Sequence, residues 1–200
     1  MIEVLLTFLP VAALLTVTPG VATALVIRSA ARGGRRQALL TTAGNSIGVL
    51  AWAGFAAVGI AAAVAASAEA FTLIKYAGAL VLVVLGIQSL RAHHGDVASP
   101  RVRGAPLRDG LLTSLANPKL AVFFAALFPQ FVPEGMAFVP GAMAMAGLIV
   151  MLDLLWYSTL AWGVARARRA FVEGPWLARA ERLTGGVLVG LGLKLAFERR

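Results

Sequence analysis

Five hydrophobic runs, each about as long as a bilayer is thick, dominate this chain. Residues 4–27 and 37–68 carry no charge at all, 70–90 carry only Lys75, 110–133 only Lys119 and 135–165 only Asp153. A spanning helix needs about 20 apolar residues, so all five qualify. A sixth run, 183–197, is shorter and contains Lys194. Charged residues make up 14% of the sequence, against about 25% in an ordinary soluble domain. These runs predict an all-α integral membrane protein with six transmembrane helices and little soluble mass.

The net charge of +9 would suggest nucleic acid in a soluble protein. The placement of the arginines excludes that partner. Arg28, Arg32, Arg35 and Arg36 follow the first run, Arg91, Arg101, Arg103 and Arg108 the third, and Arg166, Arg168, Arg169, Arg179 and Arg182 the fifth. The alternate connections hold only Glu69 and Glu134, and Glu3 stands alone at the start. This alternation is the positive-inside pattern of a multi-pass membrane protein. It puts the N-terminus outside and the basic loops in the cytoplasm. The sixth run then ends outside with Arg199 and Arg200, mildly against the rule, or it is re-entrant. The first run lacks the basic start of a secretory signal and is too long for its apolar core. With no cysteine, disulfides and thiolate metal sites do not arise.

Six runs divide as three plus three about the loop 92–109. The chain therefore reads as one transporter domain, 1–200, with repeats of about 1–91 and 110–200. An odd number of helices per half inverts the second half relative to the first. Each half opens on a helix broken by proline: Thr18-Pro19-Gly20 in the first, Asn117-Pro118-Lys119 in the fourth. Pro19 lies nine positions before Arg28, and Pro118 nine after Asp109. At 1.5 Å per residue both breaks fall roughly 13–14 Å from one face, near the midplane. Paired breaks in the two halves of a chain point to a transporter's binding site, because irregular backbone is tolerated at that depth only where it lines a cavity.

Several residues share that depth. The half-helices after Pro19 and Pro118 both present N-termini, whose free N–H groups and partial positive charge suit a carboxylate. Gly20 admits close approach to the backbone, and Thr16, Thr18 and Asn117 can cap the breaks or line the site. The competing reading is a pair of simple proline kinks satisfied by neighbouring hydroxyls. Lys119 costs about 2.5–3.5 kcal/mol at the bilayer centre and should pair with an anion, either substrate or protein. Asp153 is the one acidic residue deep in a run. It is a proton carrier, the partner of a substrate amine, or a static ion-pair partner of Lys119 or Lys194. Asn45 lies nine residues past Arg36 and is a polar liner or an interhelical hydrogen-bonding group. The candidate substrate-binding set is thus Thr18, Pro19, Gly20, Asn45, Asn117, Pro118 and Lys119, with Asp153 for proton coupling or amine binding. No catalytic or metal-ligand set is predicted, and no cofactor.

Other residues read more plainly. Gly44 and Gly48 let a neighbouring helix approach, within one subunit or across a homodimer. Lys75 and Lys194 can snorkel. Trp52, Trp156, Trp162 and Trp176 suit helix packing or interface anchoring. His93 and His94 are adjacent in a polar loop, not at metal-ligand spacing. No motif of a phosphate loop, zinc protease or serine hydrolase is present, so neither an enzyme nor an ATP-driven pump is expected.

At these residues the sequence resembles the LysE/RhtB family of bacterial amino-acid exporters. The resemblance rests on Thr18-Pro19-Gly20, the Arg-Gly-Gly-Arg-Arg loop at 32–36 leading to Gly44 and Gly48, Lys75-Tyr76-Ala77-Gly78 with Gly86, and the string from Asn117-Pro118-Lys119 through Phe123-Phe124 to Phe128-Pro129-Gln130-Phe131. It covers essentially the whole chain. It departs at Val21, where the family often has a second proline. The resemblance implies a six-helix, dimeric, inner-membrane carrier that exports amino acids or related zwitterions on the proton gradient. Alternatives are an exporter of another small solute or an inorganic or metal ion, or a membrane scaffold or enzyme.

Overall fold

The computed structural model of the chain describes residues 2–66, 105–131 and 137–173, with single helical positions among 73–90 and 186–197. Lys75, His93, His94, Trp176, Lys194 and most of the loop 92–109 lie outside the described residues, as does most of the sixth run. The described part is helical, with no strand. Helix α1 is Ile2–Val17 and α2 is Val21–Ala66. Helix α3, Pro106–Leu115, is followed by the short α4, Pro118–Val122. The chain then passes through a π-helical turn, Phe123–Leu127, and a 3-10 turn, Phe128–Phe131. Helix α5 is Phe138–Glu173. Two stretches, Val21–Gly59 and Val139–Val164, are long and apolar enough to cross a membrane, and Leu5–Val17 is a shorter apolar helix.

Gly34 folds α2 back on itself. Its φ of 70° and ψ of −171° are non-helical, so the arm before it and the arm after it are separate helices joined at one residue. This backbone region is essentially reserved for glycine. No atom lies within 4 Å of the position a Cβ would take at Gly34, so a substitution there meets only backbone strain. Gly34→Ala is expected to lower stability by about 1–3 kcal/mol, read as a fall in Tm of the detergent-purified protein. Gly54→Ala makes the control, since Gly54 is helical with equally open surroundings. That change should leave Tm level or raise it.

Helix α2 packs mainly against α3 and α5. The α2–α3 crossing is close because it is built from glycine. A Cβ on Gly44 would sit 1.9 Å from the Leu107 carbonyl oxygen, and one on Gly110 would sit 2.0 Å from the Thr41 carbonyl oxygen. Gly48 lies against Ser114. Gly44 and Gly48 therefore serve contact within one subunit. On the other side of α2, Phe8, Phe123, Phe124 and Phe128 are fully buried. Phe124 and Phe128 have ring centroids 4.7 Å apart, and α1 closes this cluster through Phe8. The aromatic core sits directly after α4 in the chain and anchors the segment that carries Lys119.

Candidate functional site

Both prolines interrupt helices, and each leaves one identifiable carbonyl without its donor. In a continuous helix the N–H of residue i bonds the C=O of residue i−4. Proline has no N–H, so Pro19 strands Leu15 O and Pro118 strands Ser114 O. The last regular bond of α1 is Thr18 N–H to Leu14 O at 3.0 Å, and helical bonding resumes with Ala24 N–H to Gly20 O at 2.9 Å. At the second break Ala116 N–H still bonds Leu112 O at 2.9 Å, and bonding resumes with Ala121 N–H to Asn117 O at 3.1 Å.

Side chains from elsewhere in the chain take up both stranded carbonyls. The Lys119 ammonium donates to Leu15 O at 3.0 Å and to Thr18 O at 3.2 Å. Trp52 Nε1 donates to Ser114 O at 3.1 Å, which also receives the Asn117 N–H at 3.1 Å. Neither break is closed by a hydroxyl in these bonds. The Trp52 role was not legible from its position alone. Lys119 in turn ties one break to the other. Its cation lies at the negative, C-terminal end of α1, where a positive charge is favoured.

Asn117 caps α4 by accepting the Lys119 backbone N–H at 3.0 Å. One of the free donors expected at this N-terminus is therefore already taken, and α4 is a single short turn. The longer α2 starts at Val21, directly after the first break. Gly20, just before it, places its missing Cβ 3.7 Å from Lys119 Nζ, an ordinary contact distance.

Asp153 is 4% exposed and is gripped from two sides. Thr16 donates to Oδ1 at 2.7 Å, and Asn45 Nδ2 donates to Oδ2 at 3.0 Å. The expected pairing of Lys119 with a protein anion takes a different form here, since its hydrogen bonds go to two carbonyls and those of Asp153 to two neutral side chains. Helix breaks supply carbonyls that satisfy an ammonium without a counter-ion, so the two charges share a cavity without a direct hydrogen bond. That cavity is lined by Leu15, Thr16, Gly20, Ala22, Thr23, Asn45, Asn117, Lys119, Leu120, Ile149, Asp153 and Tyr157. Thr18 is buried beside it and contributes its carbonyl. Pro19 and Pro118 shape the backbone but are not among the lining residues.

Sequence reasoning missed Thr23 and Tyr157. Tyr157 stands four residues after Asp153, on the same helical face, and that spacing was the available signal. One polar atom in this cavity wall, Asn45 Oδ1, is buried without a hydrogen-bond partner. The space between the lining side chains has room for little more than a water molecule. Among the described residues no three His, Cys, Asp or Glu side chains come together as a metal site would require.

Residues 13–199 match the LysE type translocator family. The chain belongs to that family. It is 34% identical over 203 residues to an uncharacterized membrane protein of Vibrio cholerae, covering 98% of this chain and 97% of the relative. It is 29% identical over 196 residues to the threonine efflux protein of Salmonella typhimurium, covering 91% and 92%. It is 29% identical over 200 residues to the homoserine/homoserine lactone efflux protein of the same organism, covering 96% and 95%. No solved structure matches the chain. Membership makes the chain a membrane translocator and accounts for its apolar helices, and the family's relatives include amino-acid efflux proteins. The Lys119–Asp153 cavity therefore belongs to a transporter.

Proposed function

We propose that this protein is a secondary-active exporter of amino acids or related small zwitterions, working by exchange against protons. The observation that carries the reading is a cavity that holds, among the described residues, a single cation and a single anion, Lys119 and Asp153, on different elements. A zwitterion matches that pair in sign and leaves the buried site with no added net charge. Its carboxylate takes the remaining N–H of Lys119 and the free donors at the N-terminus of α2, beside Gly20. Its ammonium takes Asp153 and the unpaired oxygen of Asn45. Thr18, Pro19, Asn117 and Pro118 hold the two breaks that bring these groups together. The efflux activities of the relatives support the solute class.

Because the cavity has room for little more than a water molecule, loading requires the elements to part. An inverted pair of three-helix repeats would supply that motion, with the site exposed alternately to each side. The arginine-rich loops favour a cytoplasmic-membrane protein with its N-terminus outside. A homodimer is compatible with this arrangement, and the glycine face of α2 is not the surface for it.

The deciding experiment is efflux from proteoliposomes preloaded with labelled amino acids, with an imposed pH gradient. Hydroxylated amino acids such as threonine and homoserine should leave faster than from empty liposomes, and faster still with protons available outside. No amino acid moving above the empty-liposome rate would sink the reading.

A further inference from the structure

The amide of Asn45 is only half used, and the unused half faces the functional cavity. Its Nδ2 donates to Asp153 Oδ2 at 3.0 Å, while its Oδ1 is buried with no partner. Asn45 as a whole is 3% exposed, so water does not satisfy that oxygen at the surface. A buried amide oxygen left unpaired is costly, which asks for a second state in which it is paired.

The protonation chemistry of Asp153 supplies that state. A carboxylate needs donors at both oxygens, whereas a carboxylic acid needs a donor at one and an acceptor at the other. The Thr16 hydroxyl donates to Oδ1 at 2.7 Å and suits both forms. Oδ2 is the atom whose requirement changes. The group beside it is an amide whose donor and acceptor ends exchange places by a half-turn about one bond. We propose that Asn45 is a positioning residue for a coupling proton on Asp153, its amide donating to the carboxylate and turning to accept from the acid, so that proton and substrate ammonium alternate at Oδ2.

This rests on the reading of the protein as an exporter working by proton exchange. In the exchange, the O–H bond at Oδ2 breaks and its proton passes to water on the open side as the ammonium arrives. No other bond changes. Among the described residues, the charged and titratable groups sharing the cavity with Asp153 are Lys119 from α4 and Tyr157 from α5 itself. Helices α1 and α2 contribute Thr16, Thr23 and Asn45, none of which carries charge. With Lys119 fixed positive by two carbonyls, a proton and an ammonium together on Asp153 would leave the site with an excess positive charge. The two ligands are therefore competitive.

Infrared difference spectra of the bilayer-reconstituted protein between acid and alkaline buffer test this. The band of the protonated Asp153 carboxyl, assigned by its loss in Asp153→Asn, should sit at a hydrogen-bonded frequency. Asn45→Leu should move it up toward the free-acid frequency, and saturating amino acid should remove it from wild type. A band that Asn45→Leu leaves in place overturns the proposal, as does one that saturating amino acid leaves in place in wild type. Should Asn45→Leu fail to fold, the wild-type protein suffices. The sequence has asparagine only at 45 and 117, so ¹⁵N-asparagine labelling gives two side-chain amides, of which Asn45 should titrate with the infrared band. An Asn45 amide that stays put while the band titrates also overturns it. A wild type that exchanges no amino acid defeats the exporter reading instead, and the solute-free spectra still report on Asn45.

Discussion

Gly44→Val is expected to leave little or no folded protein. The first atom of any side chain there would sit 1.9 Å from the Leu107 carbonyl oxygen and 2.8 Å from the Leu111 nitrogen. Both neighbours are backbone atoms of α3, so neither can swing aside as a flexible side chain would. Relief requires α2 and α3 to separate, which also pulls Gly110 from Thr41 and Trp52 from Ser114. Overpacking of a tight contact costs about 3 kcal/mol at the upper end of the usual range, and this crossing has several contacts that fail together. Size-exclusion profiles and Tm in mild detergent read the outcome. Wild-type yield and Tm for Gly44→Val would show that the crossing is not built as described. Gly110→Ala attacks the same crossing from the opposite helix and should behave alike.

Asp153→Asn is expected to separate charge from scaffolding. The new amide can accept from Thr16 through its oxygen. Its nitrogen can donate to the Asn45 oxygen that lacks a partner in the wild type. Stability should therefore change by no more than about 1 kcal/mol. Transport should fall by roughly 30-fold or more, since a buried charged contact is worth about 2–5 kcal/mol to its ligand. Asp153→Ala should lose both, because it strands Thr16 and Asn45 together. Parallel Tm and proteoliposome exchange measurements distinguish the two variants. An Asp153→Asn protein that exchanges amino acids at the wild-type rate would remove Asp153 from the site.

The sequence pattern made some of this visible and hid the rest for definite physical reasons. Thr18-Pro19-Gly20 and Asn117-Pro118-Lys119 stood out because proline removes a donor at a depth where water cannot replace it. Proline alone was not sufficient, since α1 runs unbroken through Pro10. Asp153, Lys119 and Asn45 stood out because polar groups are rare at that depth. What they touch was hidden. The partners of Lys119 are carbonyls, and backbone has no sequence identity. They were nevertheless derivable in part, because Leu15 is the residue four before Pro19. The neighbours of Asp153 on α1 and α2 lie 137 and 108 positions away, a separation that no local periodicity encodes. The bend at Gly34 was marked only as a basic loop, and its glycine pair carried the geometry. The family resemblance, by contrast, was carried by short strings and holds over residues 13–199.

The bond from Lys119 to Leu15 and Thr18 spans 104 and 101 residues of chain, and that separation has a consequence for biogenesis. The ribosome finishes the first helix long before it makes the lysine. When Lys119 emerges, its ammonium finds these two acceptors only if the open end of α1 is already in place. The order of synthesis thus matches the order in which the carbonyls and the cation are needed.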